Sequence, residues 1–188
     1  MRPQLMQAAE ILNTPYKMDL LVFACTTGSM IGGIGYDKAI CEDLEHTFGV
    51  KTITTSMAVI EALRAMDMGS VCLVTPYPPE INEMEKAFFE DNGIRVSSMD
   101  GYYGPGVVGR GIDLDYDQMH ALTRRTLTPG ADGIFMSCTG LAITEYMGYA
   151  EKDFHLPATC SNQATLWYAL KVLGIPYEGP NIGSLMTL

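Results

Sequence analysis

The chain has 188 residues, 47% of them hydrophobic and 18% charged, with a formal net charge of −10 at pH 7. That is enough apolar material for a sizeable core in one domain or two small lobes, and too much for a disordered chain. The acidic balance repels phosphate backbones and anionic lipid, so neither nucleic acid nor a membrane surface is expected as a partner, and any small anion must be held by local dipoles and hydroxyls.

Residues 3–13 read as a helix end, with Leu5, Met6, Ala9 and Leu12 on one side. Met18–Ala24 is a short apolar run led by Asp19, the pattern of a strand buried on both faces. It is too short for a membrane span or a lipoprotein leader. Tyr36–Thr47 is a predicted helix and Val50–Thr54 a strand. Ser56 is a candidate cap for a helix over Met57–Asp67. Val71–Thr75 is a strand, and Pro79 suits the first turn of a helix running to about Asp91. Then follow a strand at Ile94–Met99, a helix at Tyr116–Leu127, a strand at Asp132–Ser137, a helix at Ala142–Glu151 and a strand at Pro157–Cys160. Ser161 is the candidate cap of a last helix ending near Leu173. Strands that alternate with helices predict an α/β fold with parallel sheet.

The five cysteines, at 25, 41, 72, 138 and 160, are odd in number, irregularly spaced and without a C-x-x-C. That pattern predicts reduced thiols and a cytoplasmic setting, not a disulfide framework or a zinc site. A repeat is visible. Asp19-x5-Cys25-Thr26 matches Asp132-x5-Cys138-Thr139, and T-S-M-A-V-I-E-A-L-R (55–64) aligns with C-S-N-Q-A-T-L-W-Y-A-L-K (160–171) apart from a two-residue offset. Duplication predicts two α/β lobes, residues 1–70 plus 161–188 and residues 71–160, with one site between them. Chance likeness of two βα units is the alternative.

Both Cys-Thr motifs fall where a strand leads into a helix, the edge of an open α/β sheet at which ligands bind. Free N–H groups there suit a carboxylate, and a thiol there is favoured as base or nucleophile. Cys25 and Cys138 are therefore the candidate catalytic pair. Cys41, on a helix face, and Cys72, inside a strand, read as core thiols, and so does Cys160, although it ends a strand. T-P-Y-P-P-E-I-N (75–82) ends another strand at the same edge, with Tyr77 able to point a hydroxyl into the crevice. G-P-G-V-V-G (104–109) fits a dinucleotide pattern only nominally and reads instead as a lid loop. His46, His120 and His155 form no metal-binding spacing, so the expected chemistry uses no metal and no cofactor.

The pieces A-C-T-T-G-S, T-T-S-M-A-V-I-E-A-L-R-A, V-T-P-Y-P-P-E-I-N, S-C-T-G-L and S-N-Q-A-T-L-W, in this order from about Asp19 to Leu173, resemble the aspartate/glutamate racemase superfamily. The resemblance is nearest to its branch of maleate cis-trans isomerases and arylmalonate decarboxylases. It implies two pseudo-symmetric lobes, a small carboxylate between them, and a cofactor-independent isomerase or racemase in which Cys25 is nucleophile or base and Cys138 its partner. It also implies carboxylate binding by Thr26, Thr27, Tyr77 and the Cys138 and Thr139 N–H groups, with Asn162 lining the pocket. Decarboxylases of the branch keep only the second-half cysteine, so Cys25 departs from their pattern. An arylmalonate decarboxylase-like lyase and a non-catalytic carboxylate binder are the alternatives. Members of the branch carry a strand, a helix and a further strand before the piece that starts here at Met1, so the resemblance predicts a first lobe short of its N-terminal strands, and a homodimer.

Overall fold

The computed structural model describes residues 2–13, 17–102 and 114–188. Two parallel sheets organise them. The smaller pairs β1 (Leu21–Phe23) with β2 (Thr52–Thr54), Leu21 opposite Thr52 and Phe23 opposite Thr54. The larger contains β3 (Ser70–Thr75), β4 (Arg95–Gly101), β5 (Gly133–Met136) and β6 (Ala158–Cys160), in the order β4-β3-β5-β6. Parallel neighbours require crossover connections. Here α5 (Pro79–Asp91) joins β3 to β4, α6 (Tyr116–Thr126) lies between β4 and β5, and α7 (Met147–Phe154) lies between β5 and β6. The first half contributes α1 (Arg2–Asn13), α2 (Thr26–Met30), α3 (Tyr36–Phe48) and α4 (Thr55–Ala65), and α8 (Ser161–Leu173) follows β6. The α/β class expected from the alternation is the class observed.

The pleat of β3 explains its uninterrupted apolar run. Val71 and Leu73 enter one core with Val59, Ile60 and Leu63 of α4, Phe88 and Phe89 of α5, and Trp167 of α8. Cys72 and Val74 point the other way, into a core with Met119, Leu122, Ile134, Met136 and Met147. A strand covered on both faces has no polar side to alternate with. The first of these cores draws on residues from both sides of positions 70 and 161.

Four local expectations are corrected. β1 is not buried on both faces: Leu21 is buried, but Val22 and Phe23 are half-exposed, since among the described residues β1 pairs only with β2. The cap of α4 is Thr54, not Ser56. Thr54 keeps an extended backbone, and its side chain accepts the Met57 N–H at 3.1 Å. Cys160, likewise extended, holds the cap position of α8, so Ser161 is already helical and its hydroxyl is free for other work. Helix α7 begins at Met147, not Ala142. Burial of Leu141 and Ile143 in the second core holds that segment out of the helix, and a 3-10 turn at Thr144–Tyr146 precedes α7. Pro79 does occupy the first turn of α5. The loop at 104–109 lies outside the described residues. Among those residues, no helix is long and apolar enough to cross a membrane.

Candidate active site

The site grows from the two strand-to-helix turns. After β1 the chain reaches Cys25, which holds the cap position of α2 with φ −146° and ψ 108° and is half-buried. Its sulfur fills the space in which residue 28 would carry a side chain, because a Cβ on Gly28 would stand 2.8 Å from Cys25 Sγ and 3.0 Å from Phe23 Cζ. The Ser29 hydroxyl lies within bonding reach of the Cys25 carbonyl (2.8 Å) and the Thr26 carbonyl (3.0 Å), and it accepts the Ser56 N–H at 3.3 Å. The start of α2 is thereby tied to the start of α4.

After β5 the chain reaches Cys138 with φ +122°, a region that L-residues rarely adopt. Such backbone costs of order 1–3 kcal/mol and persists only where its surroundings fix it. Here they do. The Cys138 N–H donates to Ser161 Oγ at 3.0 Å. Asn162 Nδ2 donates to the carbonyls of Thr139 (3.1 Å) and Leu141 (3.0 Å), committing both of its amide protons to the loop. The Gly140 N–H points at Cys138 Sγ from 3.3 Å.

One oxygen joins the two turns. Ser161 Oγ, fully buried, accepts from Thr26 Oγ1 at 3.1 Å as well as from the Cys138 N–H. Thr139 Oγ1 adds a second link, donating to the Ala24 carbonyl at 3.4 Å. The repeated helices behind the turns also meet, through Thr165 Oγ1 and Thr55 Oγ1 at 3.1 Å. The geometry reassigns some donors. The Thr26 hydroxyl proton and the Cys138 N–H, both expected to face a carboxylate, are engaged by Ser161, and Asn162 clamps a loop. Thr27, in the first turn of α2, and the phenol of Tyr77 are half-buried.

The stretch 75–82 is self-bracing. Thr75 Oγ1 donates to Asn82 Oδ1 and accepts the Tyr77 N–H at 3.0 Å, and Asn82 Nδ2 returns to the Tyr77 carbonyl at 3.3 Å. Tyr77 interacts through its side chain with Cys138 and Ser137. Burial first, then the charges of Glu85 and Cys138, hold its phenol well above the usual tyrosine range, so it keeps its proton and remains a donor. Glu85 itself is fully buried on α5, accepts from Ser137 Oγ at 2.5 Å, and is pushed up to about 7 by desolvation.

The structure therefore links the turn that carries Cys25 and Thr26 to the turn that carries Cys138 and Thr139, with Asn162 holding the second turn and Tyr77 near Cys138. It adds Ser161, Asn82, Ser137 and Glu85, which the sequence reading did not single out for the site. A sequence signal for two of these existed: Asn82 and Glu85 are polar residues on the stripe of α5 that also buries Phe88 and Phe89. Cys41, Cys72 and Cys160 are 5%, 0% and 1% exposed, and burial raises all three thiols, Cys41 to about 12. Among the described residues, no group of three His, Cys, Asp or Glu side chains is placed to hold a metal ion. A concavity of about 540 Å³ lined by Glu145, Tyr149, Glu151, Lys152 and Ser184 shares no residue with the cysteine turns.

Comparison with known proteins follows the same lines. The arylmalonate decarboxylase family model matches residues 5–186. A maleate isomerase of Nocardia farcinica is 27% identical over 175 residues, covering 89% of this chain and 69% of the relative. An arylmalonate decarboxylase of Bordetella bronchiseptica is 27% identical over 159 residues, covering 79% of this chain and 62% of the relative, so the match to it spans under two thirds of its length. Among solved structures, a cysteine-to-serine variant of the Nocardia farcinica maleate cis-trans isomerase, with a covalently bound succinylcysteine intermediate, superposes with TM-score 0.89 at 22% identity, covering 99% of this chain and 78% of that one. A crystal structure of arylmalonate decarboxylase gives TM-score 0.81 at 23% identity, covering 99% and 81%.

Proposed function

We propose, from the premise that this chain belongs to the arylmalonate decarboxylase family, that it is a cofactor-independent isomerase or racemase of a small carboxylic acid working through Cys25 and Cys138. The observation that carries the reading is the pairing of the two Cys-Thr turns across one buried oxygen, Ser161 Oγ.

On a maleate-like substrate, the Cys25 sulfur adds to one alkene carbon and the neighbouring carbon takes a proton from Cys138. The former double bond is then single, and the two carboxylates rotate about it. Cys138 recovers the proton, the carbon–sulfur bond breaks, and the trans acid leaves. The succinylcysteine adduct in the Nocardia farcinica relative supports this order by analogy. On an α-substituted acid the same pair acts as base and acid on opposite faces of the carbon.

Either course builds negative charge on carboxylate oxygens. The Tyr77 phenol, the Thr27 hydroxyl and the Thr139 N–H are the donors in this reading, each worth about 3 kcal/mol of barrier when preorganised. Thr26 and Asn162 act by fixing the turns. Malonate decarboxylation is the second reading, favoured by the family model and the Bordetella bronchiseptica relative.

Proton NMR in D2O with maleate, aspartate, glutamate, hydantoins and arylmalonates separates the outcomes. Fumarate from maleate marks an isomerase, loss of the α-proton signal a racemase, and CO2 release a decarboxylase, while binding without turnover marks a carboxylate binder. Activity that survives in both Cys25→Ala and Cys138→Ala overturns the proposal.

A further inference from the structure

A carboxyl group sits behind the proposed site, and the chemistry above makes no use of it. Glu85 stands on the inward stripe of α5 with 0% of its surface exposed. One of its oxygens, Oε1, accepts from Ser137 Oγ, the residue before Cys138. The other, Oε2, is buried without a hydrogen-bond partner. Leaving a carboxylate oxygen dry and unpaired is costly, and a core position gains nothing from it that an apolar side chain would not supply better. A buried, strongly perturbed carboxyl beside a proposed site is a candidate for a functional role.

The surroundings show what the carboxyl acts on. Tyr77, from the turn between β3 and α5, responds to the charge of Glu85 and to that of Cys138, and its side chain interacts with Cys138 and Ser137. On the elements packed against α5, charged groups are absent or engaged elsewhere. Helix α2, which packs on α5, has no ionisable side chain in T-T-G-S-M. On β4, the Arg95 guanidinium is engaged by the Gly130 carbonyl and Asp100 by Arg125. Cys72 of β3 faces the other core. On α5 itself, Glu80, Glu83, Glu90 and Asp91 are exposed, and Lys86, next in sequence to Glu85, is half-buried.

We infer that Glu85 is a positioning residue of the proposed reaction: through Ser137 and Tyr77, its ionisation sets the charge that the Cys138 side of the site can carry. The inference rests on the two-cysteine reading for its purpose, but not for its test. While Glu85 is neutral, an anion at Cys138 meets only dipoles. Once Glu85 ionises, that anion faces a like charge across the Tyr77 phenol. Desolvation places the change near neutral pH.

The test needs no turnover. In a Cys25→Ala background, the alkylation of Cys138 by iodoacetamide is followed by peptide mass mapping from pH 5.5 to 9, with Glu85 present and with Glu85→Gln. The expected result is equal rates below about pH 6 and a progressively faster reaction in the Gln variant above pH 7, on the order of tenfold at pH 8.5. Profiles that superimpose, or differ by one constant factor at every pH, would overturn the inference, because a purely structural effect does not titrate. Should Glu85→Gln not fold, Ser137→Ala serves. It removes the hydrogen bond that favours the carboxylate, so Glu85 ionises at higher pH, and a faster Cys138 reaction is expected from about pH 7 until that later ionisation, where the profiles meet again. The outcome stands apart from the functional reading, since a protein without activity on any acid still yields both profiles.

Discussion

Gly28 is a glycine because the Cys25 sulfur occupies its side-chain space, with only 2.8 Å between that sulfur and the position of a Cβ at residue 28. A methyl group there cannot coexist with the present thiol rotamer. Gly28→Ala is expected to swing the Cys25 sulfur away, lowering turnover at least about tenfold while costing about 1–3 kcal/mol of stability. Steady-state kinetics and urea melts read the two effects separately. An alanine variant with unchanged kcat would show that the sulfur's position is irrelevant.

Ser161 Oγ serves two donors at once, the Thr26 hydroxyl and the Cys138 N–H. Ser161→Ala leaves both without a partner in a buried place, at a cost of about 1–3 kcal/mol. Thr26→Ala removes one of the donors, so the double variant is expected to lose less than the two single losses combined. Additive losses in denaturant titrations would mean the bridge is not one unit.

Burial first, and then the proximity of Glu85 and Cys138, hold Tyr77 in its protonated form. Tyr77→Phe keeps the ring and deletes the donor. The expected result is a loss of kcat on the order of a hundredfold with nearly unchanged thermal stability. A fall in stability without a fall in kcat would make Tyr77 a packing residue.

Glu85 also sets a pH dependence of stability with a definite sign. Its folded value is raised from 4.5 to about 7. The carboxyl is therefore harmless below about pH 4.5, and the folded state progressively loses stability as pH rises through 7, in total by about 3 kcal/mol. The gain from Glu85→Gln is thus expected to be small at pH 5 and to reach its full size at pH 8. Urea titrations of both proteins at the two pH values check this. A gain independent of pH would place the carboxyl outside the titration.

Much of the molecule was legible in its letters. The apolar run at Val71–Thr75 marked a strand, and Pro79 marked the start of α5, whereas the double burial expected of Met18–Ala24 belongs instead to β3. The Cys25 and Cys138 turns were found because strand ends and Cys-Thr spacing are local properties. Caps were less legible: Thr54 and Ser56 have equally suitable hydroxyls, and only the extended backbone at 54 decides between them. Ser161 looked like a cap for the same reason, while its hydroxyl in fact reaches Thr26, 135 residues away in the chain.

The amino-acid order alone thus settles the α/β alternation, the strand-end position of both cysteines and the family motifs, because each depends on residues near one another in sequence. Which oxygen joins the two turns, why Cys138 can hold φ +122°, and that a carboxyl lies buried behind Tyr77 were decided by packing. Those features depend on side chains from distant segments meeting in space, and a hydrogen bond across more than a hundred residues leaves no periodicity for a local pattern to carry.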